Sequence, residues 1–214
     1  MNLSTLEGQD LQSKFEAFVR DRAFPCVGAK SALARGTLKV VPCRSISSGW
    51  DDLRIHGELL EWVSDVFADR INLSEKSFEN AMWERIQSLS DKDAWLDQPY
   101  DSRVSHDPDD VHFSLSFGGE AFFAVGLHPR ASRPARRFET PAIVFNLHDQ
   151  FEQLRDEGRY EGIRETILAR DVQLAGSVNP MLTRHGEASA AAQYSGREVD
   201  SQWVCPFRDS RAAG

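Results

Sequence analysis

Two residue types suited to site chemistry meet in one short segment. Gly126-Leu127-His128-Pro129 follows the apolar run Ala121-Phe122-Phe123-Ala124-Val125, and Arg130, Arg133, Arg136 and Arg137 come directly after it. Such a run reads as an interior strand, so it would deliver one imidazole and several guanidinium groups to a single edge of the fold. An imidazole ligates a metal or carries a proton. Arginines hold carboxylates in bidentate fashion. Together they describe a site for an anionic, metal-bearing cofactor, with His128 as axial ligand to heme iron or as general base. Arg133 and Arg137 are the expected carboxylate holders. Arg136 and Arg137 are consecutive and would point to opposite faces of a strand. The competing reading is a solvated basic turn around a histidine with no role.

Other groups compete for the same chemistry. His148, in Phe145-Asn146-Leu147-His148-Asp149, stands where a strand passes into a helix, a common position for site residues in mixed folds. It is equally a helix-start histidine. His106-Asp107-Pro108-Asp109-Asp110 and His112 hold donors for a divalent metal, although Asp-Pro-Asp-Asp is first of all an ordinary turn. Each cysteine adjoins a proline: Pro25-Cys26, Pro42-Cys43 and Cys205-Pro206. A cysteinate is an established heme ligand, which makes Cys205 the rival of His128. Its neighbours Trp203 and Phe207 also suit a buried, inert thiol. His56 falls within a helix and reads as structural or exposed. No dinucleotide fingerprint, P-loop or G-x-S-x-G elbow occurs.

The elements that must position these groups follow from apolar spacing. Leu11, Phe15, Phe18 and Val19 predict a helix over 10–24. A short helix or loop follows over 28–35, then a strand over 37–41 that Pro42 stops. Leu53, Leu60, Val63 and Phe67 form the face of one helix; Phe78, Met82, Ile86 and Leu89 form that of a second, capped by Asn72 or Ser74. A polar loop occupies 97–110. Phe113, Leu115 and Phe117 alternate with Ser114 and Ser116, as in a half-buried strand. Segments 121–127 and 142–145 read as interior strands, and 147–157 and 160–170 as helices broken at Gly158. The expectation is a single α+β domain over 10–207, with a central, mostly antiparallel sheet flanked by helices. Residues 1–9 and 208–214 are expected to be flexible.

Acidic residues number 33 against 25 basic ones, a net charge of −8. That balance argues against nucleic acid and anionic membrane as partners. No stretch has the roughly 18 apolar residues of a membrane span, and no signal-peptide pattern is visible. The cytoplasm is the expected location, with the three cysteines reduced.

The order of motifs resembles the YqcI/YcgG family. The matching pieces are Phe24-Pro25-Cys26, Asp107-Pro108, Gly126-Leu127-His128-Pro129, Ser132-Arg133 and Arg136-Arg137-Phe138. After them come Val144-Phe145-Asn146, the segment 151–155, Gly176-Ser177-Val178-Asn179-Pro180, Gln193-Tyr194-Ser195-Gly196-Arg197 and Trp203-Val204-Cys205-Pro206-Phe207. Members of that family with assigned activity are heme-dependent N-oxygenases acting on guanidine nitrogens of arginine or its derivatives. The resemblance therefore implies heme b, a small cationic substrate, and an external electron donor or peroxide. A homodimer is compatible with it. Glu120 and Asp107, with Asp109 and Asp110 beside the latter, are the carboxylates that would meet the cation. Two alternatives remain: a heme-binding carrier or sensor without catalysis, and a non-heme metal enzyme built on His106 and His112.

Overall fold

The computed structural model describes residues 5–59, 64–67, 73–183 and 186–213. Among them a five-stranded sheet forms from β1 (Val40–Cys43), β2 (Ser64–Phe67), β3 (Leu115–Phe117), β4 (Glu120–Leu127) and β5 (Ala142–Leu147). The strand order is β1-β2-β5-β4-β3. Only the β1–β2 pair is parallel; the others are antiparallel. The helices are α1 (Thr5–Arg20), α2 (Val27–Arg35), α3 (Asp52–Leu59), α4 (Glu75–Trp95), α5 (His148–Asp156), α6 (Tyr160–Ala175) and the short α7 (Ala191–Tyr194). The chain is a single α+β domain.

The two-residue period of β4 and β5 divides the apolar residues between two cores. Phe122 and Ala124, with Ile143 and Phe145, pack with Phe78, Met82, Ile86 and Leu89 of α4. Leu127 and Ala142, with Val125 and Val144 against them, pack with Leu11, Phe15 and Val19 of α1. The sheet is thus sandwiched between α4 and α1. Helix α4 starts where its cap predicts: Ser74 Oγ accepts from the Ser77 amide at 3.1 Å.

Several expectations give way to tertiary context. Of the helix expected to run through Phe67, the described residues form α3 over Asp52–Leu59, and residues 64–67 form β2. Pairing with β1 on one side and β5 on the other outweighs the helical spacing. Leu60 and Val63 lie outside the described residues. Strand β1 continues through Pro42, because it is a sheet edge, where proline is tolerated. Ser114 and Ser116 are buried rather than solvated. The loop over 97–110 folds onto them: the Asp101 amide donates to Ser116 Oγ at 2.8 Å and Tyr100 Oη to the Ser114 carbonyl at 2.5 Å.

Residues 5–9 belong to α1. At the other end, Gln87 and the Arg208 backbone exchange two hydrogen bonds, at 2.8 and 2.9 Å. Arg211 reaches the buried carboxylate of Asp93 at 2.7 Å. These contacts hold 208–213 against α4.

Candidate functional site

His128 directly follows β4, with its side chain on the α4 face of the sheet. Its ring stacks on Phe78, with centroids 4.4 Å apart and planes 19° from parallel. Gly126, two residues earlier on the same face, makes room for this. A Cβ there would lie 2.7 Å from Phe78 Cε1 and 2.9 Å from Met82 Sδ. The His128 side chain is 2% exposed, and its Nδ1 has no hydrogen-bond partner. Burial lowers the imidazole pKa, which favours the neutral ring with its lone pair.

The arginines beside it are already engaged. Arg133 donates to Asp171 at 2.5 Å and to the Ser177 carbonyl at 2.6 Å. Arg136 donates to the carbonyls of Gly126, Gln193 and Tyr194 at 3.0–3.2 Å. Burial brings its guanidinium down to about 10. Arg137 donates to the carbonyls of Ala131 and Ser132 at 2.7 and 3.0 Å. Beyond Phe122, β4 is no longer paired to β3, and Arg136 ties that open edge to the 193–194 segment. Arg133 and Arg137, the residues expected to hold cofactor carboxylates, direct these donors to the fold's own loops, while Arg133 Nε is buried without a partner. The cluster does not fit a heme with propionates held by these arginines.

A second buried histidine is better equipped. His56, on α3, is 4% exposed, and its Nε2 lies 2.6 Å from Asp93 Oδ1. Asp93 is fully buried near the end of α4. It also accepts from the Gly118 amide at 2.9 Å and from Arg211 Nη1 at 2.7 Å. Four residues before His56, buried Asp52 accepts from Arg85, Ser88 and Lys92. The α3–α4 interface is thus polar and paired. Sequence reasoning set His56 aside, although a signal was present. The α4 stripe Phe78, Met82, Ile86, Leu89 continues at helical spacing to Asp93. A carboxylate in a core position requires a partner.

The chain matches the YqcI/YcgG family over residues 15–208. It belongs to that family. No curated protein and no solved structure matches it. His56, Asp93 and His128 fall inside the matched YqcI/YcgG residues, while Arg211 lies past them.

The remaining candidates of this YqcI/YcgG chain are scattered. Cys205 is buried among aromatic side chains, and burial pushes its thiol up to about 12, which disfavours a thiolate. His148 is half-buried, with Glu152 at 3.8 Å; burial lowers its pKa first, opposed by Glu152. His106 and His112 are exposed. Among the described residues no group of three or more His, Cys, Asp or Glu is placed to hold a metal ion, so the His106–His112 reading has no donor set there. Asp107 closes its own turn by accepting from the Asp109 amide at 3.0 Å. Glu120 does meet a guanidinium, that of Arg103, at 3.2 Å. Asp101 and Asp149 bind the same Arg103. Asp107 and Glu120 are thus separately engaged, and neither is joined to His128. No helix among the described residues is long and apolar enough to cross a membrane.

Proposed function

We propose that this protein is a cytoplasmic heme-dependent oxygenase that hydroxylates a nitrogen of a guanidine- or amine-bearing substrate, and that His56 is the imidazole it offers to iron. Membership of the YqcI/YcgG family supports the first part, because N-oxygenation is the activity that the resemblance to that family implies. The observation that carries the second is the 2.6 Å bond between His56 Nε2 and Asp93. A carboxylate on one ring nitrogen fixes the tautomer and orientation of an imidazole and makes the other nitrogen a better donor. Heme b, when bound, supplies oxygen activation. The overall conversion places one atom of O2 in an N–H bond and reduces the other to water, with two electrons and two protons from an external donor. The negative net charge favours approach of a small cation. The three cysteines are free thiols, in keeping with a reducing compartment.

The unpartnered Nδ1 of His128 favours a second reading, in which that nitrogen meets the iron. One experiment separates the two. Purified protein supplied with heme should give a Soret band that His56→Ala weakens or shifts and His128→Ala leaves in place. The reverse pattern transfers the ligand role to His128, and no band in the wild type rejects heme. Mass spectrometry of arginine-like substrates, incubated with reductant and O2, then distinguishes an oxygenase from a carrier or sensor that binds heme without forming product.

A further inference from the structure

We infer that Arg211, from the C-terminal segment past the matched family residues, is a positioning residue for His56. This deepens the reading just given and rests on it only for the identity of the ligand. Asp93 is fully buried and divides its two oxygens: Oδ1 takes His56 Nε2 and the Gly118 amide, while Oδ2 takes Arg211 Nη1 at 2.7 Å. A buried carboxylate is stable as an anion only when paired and hydrogen-bonded. Arg211 is the cation that pairs with it. Held in place by Arg211 and the Gly118 amide, Asp93 Oδ1 accepts the hydrogen bond of His56 Nε2–H, which leaves Nδ1 as the lone-pair donor.

Arg211 is itself held on several sides. Its Nε donates to Asp209 at 2.8 Å, its Nη1 donates to the Gln98 carbonyl at 3.3 Å, and its guanidinium lies 4.7 Å above the Tyr100 ring. The relay runs from Asp209 through Arg211 and Asp93 to His56. It joins the C-terminal segment, α4 and α3 in one line of charge-assisted bonds.

The test begins without heme. In the proton spectrum of the apoprotein, the His56 imidazole N–H bonded to Asp93 should give a far-downfield resonance, assigned by its loss in His56→Gln. Arg211→Ala should remove or shift that resonance while the remaining spectrum stays folded, and Arg211→Lys should restore part of it. With heme added, Arg211→Ala should weaken heme binding by about 10–100-fold, the usual effect of losing a partner behind a metal ligand. An unchanged downfield resonance in Arg211→Ala overturns the assignment. So does failure of both Arg211 variants to fold, because Arg211 would then hold the fold and not the imidazole. If wild-type protein takes no heme, the ligand reading fails, while the apoprotein resonance still decides whether Arg211 positions His56.

Discussion

Helix α4 meets a buried histidine near each end, and the two are held in opposite ways. Near its start, His128 lies flat on Phe78 with Nδ1 unpartnered. Near its end, His56 is bonded to Asp93, which Arg211 and the Gly118 amide support in turn. Phe78 and Asp93 are separated by about 22 Å along a straight helix axis, so the two imidazoles serve different places. Stacking fixes the plane of a ring but not which nitrogen carries the proton. A carboxylate fixes both. The first arrangement makes a neutral imidazole through desolvation; the second makes an oriented one through hydrogen bonding. Orientation is what ligation or proton transfer at one defined atom requires, and of the two ends it is the Asp93 end that has it.

The largest expected effect comes from breaking that end. Asp93→Ala leaves His56, Arg211 and the Gly118 amide facing a buried gap. Removing one member of a buried ion pair costs about 3–5 kcal/mol, so the urea midpoint should fall sharply. A loss below about 1 kcal/mol, the scale of an exposed pair, would mean that the end is open to water and that the contrast with His128 is false. The other end breaks through packing. Gly126→Ala drives a methyl group against Phe78 and Met82. Overpacking of this kind costs about 1–3 kcal/mol, and the thermal midpoint should fall accordingly. The His56 downfield resonance should be unaffected. Disturbance of that resonance by Gly126→Ala would show that α4 couples its two ends.

How much of this was legible follows the range of the interactions. Strands β4 and β5, the Ser74 cap and the apolar stripe of α4 could be read because they depend on period and neighbours. Strand β2 carries helical spacing in its sequence, and the pairing with β1 and β5 that makes it a strand joins segments far apart in the chain. The arginines after β4 drew attention as a charge cluster. Local spacing said nothing of the Gln193 and Tyr194 carbonyls or the Asp171 carboxylate that occupy Arg136 and Arg133. His56 was missed for the same reason. Its partner is 37 residues away, and the residue supporting that partner is a further 118 away. Only Asp93, a carboxylate in the apolar stripe, showed that something must meet it there.

The smallest expected effect sharpens the contrast through pH. Burial holds the folded-state pKa of His128 below its ordinary value of 6.5. The unfolded chain therefore binds a proton at a pH where the folded chain does not, and stability falls as pH drops. The loss begins below about 6.5 and continues down to the lowered folded-state value. His128→Leu removes that proton acceptor and also the unpartnered buried nitrogen, whose desolvation counts against the fold. The variant should be as stable as the wild type or slightly more so near pH 8. Its unfolding free energy should decline less steeply between pH 7 and pH 5. Equal slopes in the two proteins would mean that His128 is hydrated or partnered in solution. The difference between the ends of α4 would then rest on Asp93 alone.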